Sequence, residues 1–169
     1  MKFKVLGLLV ALNGCSVIPD HIEPAEHVPS ANLKVKHSFN APMLGYSTHV
    51  TVHTEQDTCD EHFLSKSATN LVVLDIGNPL VSEMNEDGVR LAVGKKYSFW
   101  IMSLSGMSTC TLFTSFEPKA NEYYEMIVSG KLGGHNTSCN ASLFSYDEQT
   151  KSPIPIEFDY HGDCKQPSE

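Results

Sequence analysis

Cysteine is the residue type whose spacing in this chain points most directly to chemistry. The sequence contains five cysteines, at Cys15, Cys59, Cys110, Cys139 and Cys164. No two of them form the closely spaced pair, such as C-x-x-C, that a zinc site or a thiol-redox enzyme typically uses. The sequence therefore predicts neither a zinc site nor a redox centre at these residues, and it predicts no cofactor.

The first fifteen residues have the pattern of an export signal. Lys2 and Lys4 supply positive charge, an apolar run extends from Val5 to Leu12, and Gly14 precedes Cys15. Charge, a short apolar stretch and a small residue before the cleavage site are typical of a secretory signal peptide. A membrane-spanning helix needs about 20 apolar residues, so the run is too short to be one.

The tetrapeptide Leu12-Asn13-Gly14-Cys15 resembles the lipobox of bacterial lipoproteins. This resemblance implies cleavage after Gly14 and a lipid on Cys15, which would bind the chain to a membrane through the lipid anchor. Ser16 follows the cysteine where an aspartate would favour the inner membrane. The expected location is therefore the periplasmic side of the outer membrane, and an ordinary secretory signal without lipid is the alternative.

The remaining cysteines are even in number, which in an exported chain is typical of two disulfides with three possible pairings. The segment with Cys110-Thr-Leu-Phe-Thr-Ser-Phe-Glu-Pro118, Glu122-Tyr-Tyr-Glu125 and Cys139 resembles small exported lipoproteins with an immunoglobulin-like or transthyretin-like β-sandwich. That resemblance favours the pair Cys110–Cys139 and leaves Cys59–Cys164. Strand faces shared with apolar residues also place Cys110 and Cys139 inward.

Histidine is the other residue type that could bind a metal, and the chain has eight. His49 and His53 are predicted to lie on one face of a strand, where four residues separate Cα atoms by about 13 Å. Two imidazoles at that distance cannot share one ion, so we expect exposed histidines without a metal. Capture of copper or zinc by histidines of neighbouring strands stays open.

Catalytic motifs are missing from the sequence. It contains no G-x-S-x-G nucleophile elbow, no H-E-x-x-H zinc motif and no glycine-rich phosphate or dinucleotide loop. Its 20 Asp+Glu against 12 Lys+Arg give a net charge of −8, which removal of Lys2 and Lys4 would make more negative. Because nucleic-acid binding relies on Lys and Arg, we predict that the protein binds no nucleic acid. The missing motifs lead us to predict that it is not an enzyme.

Alternating apolar and polar residues predict short strands in most of the chain beyond residue 33. Such strands, with turns between them, predict an all-β fold, an antiparallel β-sandwich, with a small β-barrel as the alternative. Gly94-Lys95 suggests a two-residue hairpin turn, Pro155 suggests an edge strand, and only Asp60–Thr69 could form a short helix. The predicted strands are residues 46–54, 70–76, 89–93, 96–104, 109–116, 122–129, 139–146 and 154–160.

Three regions follow from these patterns. Residues 1–14 are the signal peptide, 15–32 the lipidated cysteine and a proline-rich tether, and 33–169 a single β-sandwich domain. Pro19, Pro24 and Pro29 favour extended, semi-rigid chain in the tether. An ordered arm that lies on the domain is the alternative for that segment.

The expected role is a non-catalytic binding or accessory subunit of an envelope assembly, with a protein partner in the cell envelope. An exposed aromatic patch would mark such a surface, although core packing explains aromatic residues as well. A metal- or small-ligand-binding envelope protein and an envelope enzyme or enzyme inhibitor are the alternatives. The aromatic candidates are Phe99, Trp100, Phe113, Phe116, Tyr123 and Tyr124.

Overall fold

The computed structural model describes residues 18–41, 45–54, 68–77, 80–133, 137–146, 152–157 and 159–161. Within these ranges the chain is all-β and contains no helix, and therefore no helix that could cross a membrane. The predicted helix at 60–69 lies mostly outside the described residues. The strands are β1 Ser30–Asn40, β2 Tyr46–His53, β3 Thr69–Ile76, β4 Val89–Ala92, β5 Tyr97–Ser105, β6 Ser108–Phe116, β7 Tyr123–Lys131, β8 Ser138–Tyr146, β9 Pro153–Ile156 and β10 Asp159–His161.

The strands form a sandwich of two five-stranded sheets. Sheet I has the order β4-β1-β7-β8-β9, and sheet II has the order β10-β6-β5-β2-β3. The edge strands of one sheet do not pair with those of the other, so the described strands do not close into a barrel. The predicted sandwich is therefore confirmed.

One strand pair departs from the predicted antiparallel arrangement. β1 runs parallel to β7 over nine residue pairs, from Asn32↔Tyr123 to Asn40↔Lys131. Parallel neighbours need a long crossover connection, and here strands β2 to β6 supply it. Alternation within a strand does not reveal the direction of its neighbour, which is why the sequence missed this pair.

The core lies between the sheets and is filled by the alternate residues of each strand. β5 shows the pattern most regularly, because every second residue from Tyr97 to Ser105 is buried. Phe99 stacks on Phe116 with ring centroids 5.3 Å apart, and Phe116 contacts Tyr124 at 5.1 Å. Burial raises the pKa of Tyr124 to about 12. Three of the six aromatic candidates therefore belong to the core.

The predicted hairpin at Gly94-Lys95 is wrong. β4 belongs to sheet I and β5 to sheet II, so the chain crosses between the sheets at this turn. Gly94 has a φ of +73°, a left-handed conformation that glycine adopts without a Cβ penalty. The inward side chains of β4 and β5 therefore approach the core from opposite sheets, whereas those of a hairpin would lie side by side on one sheet.

The predicted strand at 154–160 is in fact two strands. β9 ends at Ile156 and lies at the edge of sheet I, where the proline pattern placed it. β10 begins at Asp159 and lies at the edge of sheet II. The continuous alternation in the sequence hides the crossing, because both pieces keep the same period.

Residues 18–32 do not extend away from the domain as the predicted tether would. Residue Asn70 of β3 accepts a bond from the His21 N–H and donates its own N–H to the Pro19 carbonyl, with distances of 2.7 and 2.8 Å. Arg90 of β4 donates to the carbonyls of Pro24 and Ala25. β1 then begins at Ser30, before the predicted domain boundary. The alternative of an ordered arm is correct for residues 18–29, because backbone and side-chain bonds hold it on the domain.

The sandwich has two different sides. On the arm side, β3 and β4 are the edge strands, and residues 18–29 lie along them. Met84 adds a bridge to Val73 of β3 there. On the disulfide side, β9 and β10 are the edge strands, and a Cys110–Cys139 disulfide joins the strands next to them.

Candidate binding face on sheet I

A buried carboxylate lies on the solvent-facing side of sheet I. Glu125 is only 6 % exposed, although its neighbours Tyr124 and Met126 point into the core. Lys36 of β1 places its Nζ 2.5 Å from Oε2, and the Tyr146 hydroxyl of β8 donates to Oε1 at 3.1 Å. Strands on both sides of β7 thus cover the carboxylate and bond both of its oxygens.

The protonation states in this group follow from its contacts. The hydrogen bond to Glu125 raises the pKa of Lys36, so the ammonium stays charged at neutral pH. Burial raises the pKa of Tyr146, and the bond to Glu125 raises it further. Tyr146 therefore remains neutral and keeps the O–H that it donates. The charged pair is fixed in place with compensating bonds, as a buried charge requires.

Aromatic rings surround this pair on the same face. Tyr123 is 37 % exposed and meets Tyr146 edge-to-face, with centroids 5.6 Å apart. Ile127 and Phe144, both half-buried, continue the surface along β7 and β8. We call Lys36, Tyr123, Glu125, Ile127, Phe144 and Tyr146 the binding face. Rigid tyrosines supply contact area at low entropic cost, and tyrosine is enriched at the energetic centres of interfaces.

The binding face contains no catalytic group poised for reaction. Both oxygens of Glu125 are already bonded, and the face offers no serine or cysteine bonded to a base. What this face presents is one fixed ammonium, two tyrosines and apolar area. Tyr123 is among the aromatic candidates predicted from the sequence, whereas Lys36, Glu125 and Tyr146 are not, because they come from three strands.

The structure contains the Cys110–Cys139 disulfide, the same pair that the sequence analysis favoured. The two Cα atoms are 6.1 Å apart, and 29 residues separate the cysteines. Both side chains pack against the edge of the core. Cys15, Cys59 and Cys164 lie outside the described residues.

The other aromatic candidates lie on the outer face of sheet II. Trp100 of β5 stacks on Phe113 of β6, with centroids 6.5 Å apart, and both are half-buried. Each of them has a further interaction partner. This pair therefore offers less open aromatic surface than the binding face of sheet I.

His49 and His53 lie on that same outer face, as the alternation predicted. Burial lowers the pKa of both, which favours neutral imidazoles. In the part of the chain that the structure describes, no three metal-ligating side chains come together. An open depression of about 610 Å³ lies beside His49, between Tyr46, Asp75 and Ser105.

His37 is an inward residue that the sequence analysis missed. Its Nδ1 lies 3.0 Å from Thr48 Oγ1, which in turn lies 2.9 Å from Ser103 Oγ. Thr48 and Ser103 are fully buried, so this chain of polar groups links the two sheets through the core. Burial lowers the pKa of His37. The alternation from Leu33 to Phe39 carries the signal, because His37 occupies an apolar position in it.

Comparison with models of protein families, with curated proteins and with solved structures found no match to this chain. The geometry described above is therefore the basis for the functional argument.

Proposed function

We propose that this protein is a lipid-anchored, non-catalytic binding or accessory subunit of an envelope assembly, and that it recognises a protein partner through the binding face of sheet I. The observation that carries the proposal is Glu125, a buried carboxylate on the solvent-facing side of a strand, fixed by Lys36 and Tyr146. Burying a charge costs free energy unless it is paired and hydrogen-bonded. The exposed Tyr123 beside this fixed pair is of the residue type that is enriched at the energetic centres of interfaces.

The anchor is a separate part of this proposal. Cys15, in the lipobox-like tetrapeptide, would receive the lipid after cleavage and hold the protein at the periplasmic side of the outer membrane. Labelling cells with a fatty-acid analogue tests it: the wild-type chain should be labelled, and Cys15→Ala should not. Equal labelling of both proteins would remove the anchor from the proposal and leave the binding role standing.

The partner is tested by co-purification from solubilised membranes. Tyr123→Ala removes the most exposed ring of the binding face and should reduce recovery of a stoichiometric partner at least about tenfold. Met107→Ala is the matched control, because Met107 is fully exposed at the β5–β6 turn. Both variants should melt at the wild-type temperature. Equal recovery with wild type and Tyr123→Ala would show that the partner binds elsewhere.

A small-ligand role is the second candidate, and the depression beside His49 is the observation that favours it. Zinc or copper titrated into the purified protein would bind in a stoichiometric amount, and His49→Gln would abolish that binding. A His27→Gln control changes an exposed histidine of the arm. Absence of saturable binding in the wild type would end the metal version of this candidate.

A further inference from the structure

Half of strand β8 has an uncovered edge. β9 pairs with Leu143–Tyr146 and then ends at Ile156. The other half of β8, Ser138–Ser142, pairs with β7 on one side, and no strand of the described residues pairs with it on the other. We call Ser138–Ser142 the open edge.

The direction of the backbone groups along the open edge follows from the neighbouring pairs. The Asn32 N–H of β1 donates to the Glu122 carbonyl, and the Leu132 N–H donates to the Asn40 carbonyl of β1. Along β7, the N–H and C=O groups of the even-numbered residues therefore point towards β1. The N–H and C=O groups of the odd-numbered residues of β7 then point towards β8, where they pair with even-numbered residues such as Asn140. The N–H and C=O groups of Cys139 and Ala141 are therefore directed away from β7, at the open edge.

The other strand edges of sheet I carry features that hinder pairing. In β9, Ile154 and Ile156 direct their backbone towards β8, so Pro153 and Pro155 stand at the outward positions and offer no N–H. On the arm side, β1 extends beyond β4 but carries Lys34 and Lys36 there. Lysine and proline are the residues by which edge strands avoid pairing. The open edge has neither and carries no charge.

Space for another strand lies beside the open edge. An open depression of about 650 Å³ is lined by Ala141 and Ser142 of β8 and by Ile156 and Glu157 at the end of β9. Beneath it, the disulfide fixes Cys110 of β6 below Cys139. β10 covers only Phe113–Ser115 of β6, so the first half of that strand is uncovered by the described strands as well.

We propose that the open edge is the homodimer interface of this protein, where a second copy places its own Ser138–Ser142 antiparallel to the first, with a two-fold axis at Asn140. In that register Cys139 faces Ala141 of the second copy, and Ala141 faces its Cys139. Both residues direct their N–H and C=O groups outward, so the pairing is self-complementary, as a two-fold interface requires. The strands of the described residues leave these five residues unpaired on this side in each copy, so the two segments match in length.

The dimer goes beyond the proposed partner-binding role and does not depend on it. Sheet I would continue from one copy into the next, and the outer faces of both copies would point the same way. A partner assembly would then meet two binding faces together, which raises avidity without any new contact. Each chain carries a net charge of −8, so the dimer should strengthen with added salt.

Sedimentation of the full chain in detergent tests the dimer. The wild type should sediment as a dimer in a concentration-dependent way. Asn140→Lys places two ammonium groups beside each other at the axis and should weaken the dimer at least about tenfold. Asn40→Lys makes the same exposed substitution on β1, away from the axis, and should leave the dimer unchanged. A monomeric wild type at every concentration, or an unaffected Asn140→Lys dimer, would overturn the proposal.

Cross-linking tests the register and does not depend on dimer strength. At the axis the two Asn140 Cα atoms form a non-hydrogen-bonded pair, about 4.5 Å apart, which is within reach of a disulfide. Asn140→Cys should therefore yield a covalent dimer under mild oxidation, and Asn40→Cys should not. A dimer by sedimentation that Asn140→Cys fails to cross-link would assign the interface to another surface. Partner recovery with Asn140→Lys reports separately on the binding face.

Discussion

The two sides of the sandwich solve the problem of exposed strand edges differently. On the arm side, residues 18–29 and Met84 cover the edges with backbone bonds and with the contacts of Arg90. On the disulfide side, β9 and β10 are short, and the strands of the described residues leave half of each neighbouring strand uncovered. A covalent bond between Cys110 and Cys139 holds that side together.

The difference indicates which side is available for contacts. Non-covalent cover occupies the edge that it protects, whereas a disulfide between inward faces stabilises the strands and leaves their outer edges vacant. On the arm side the chain itself therefore covers β3 and β4, and lysines occupy the part of β1 beyond β4. On the disulfide side the described strands leave part of β8 and of β6 uncovered, and the disulfide stabilises both strands. Four changes test this comparison.

Loss of the disulfide should have the largest effect. Cys110→Ala should lower the free energy of unfolding by about 2–5 kcal/mol, because a bridge that closes a loop of this size constrains the unfolded chain. Thermal unfolding measures the loss as a large drop in melting temperature. The double variant with Cys139→Ala should match the single variant, since both lack the same bond. A single variant that melts with the wild type would mean that the open side is held by packing alone.

Detachment of the arm should have the second-largest effect on stability. Arg90→Ala removes the donors to Pro24 and Ala25 and should cost about 1–2 kcal/mol of unfolding free energy. Denaturant titration measures the cost, and limited proteolysis should show earlier cleavage near residues 18–29. Lys34→Ala is the control, since its ion pair with the exposed Asp87 is worth little. If the two variants behave alike, the arm does not stabilise its side.

Acid should weaken the polar link between the sheets, and the loss of unfolding free energy should be smaller than for the two changes above. Burial lowers the pKa of His37 below its ordinary value near 6.5, while Asp75 and Glu83 partly oppose that shift. The folded state thus favours neutral His37. The contribution of this residue to the free energy of unfolding is complete above pH 6.5 and decreases as pH falls below that value. Unfolding free energies measured between pH 7.5 and 5.5 should fall less in His37→Gln than in the wild type. Parallel slopes would show that His37 does not contribute.

Opening the blocked edge of β9 should change stability least. Pro155→Thr adds an outward N–H and should alter the unfolding free energy by no more than about 0.5 kcal/mol. Light scattering should nevertheless report stronger self-association, because the edge could then accept another strand. Ile154→Thr is the matched control, since its N–H already points towards β8. No difference in scattering between the two variants would mean that the prolines do not protect this edge.

Local pattern predicted most strands correctly but not their partners. The alternation around Phe99 and Thr48 located β5 and β2, because burial of every second side chain is a local property. The crossing at Gly94 and the parallel pair of β1 with β7 depend on residues far apart in sequence. Nothing in a local pattern specifies such pairings, since tertiary packing decides them.

The binding face was predictable only in part for the same reason. Tyr123 stands out as an aromatic residue beside an inward one, so alternation suggests its exposure. The burial of Glu125 depends on Lys36 and Tyr146, which reach it from neighbouring strands. A carboxylate at an outward position predicts exposure by itself, so only the assembled sheet reveals the buried pair.

The parallel pairing of β1 with β7 also has a consequence for the time course of folding. β1 is synthesised early, but its central neighbour spans Tyr123–Lys131, which is synthesised only after most of the domain. Loop-closure entropy must be overcome before such distant contacts form, so folds dominated by them reach the native state in milliseconds to seconds. Before β7 is available, β1 can pair only with β4 over Ser30–Leu33, so the interior of sheet I forms only once β7 has been synthesised.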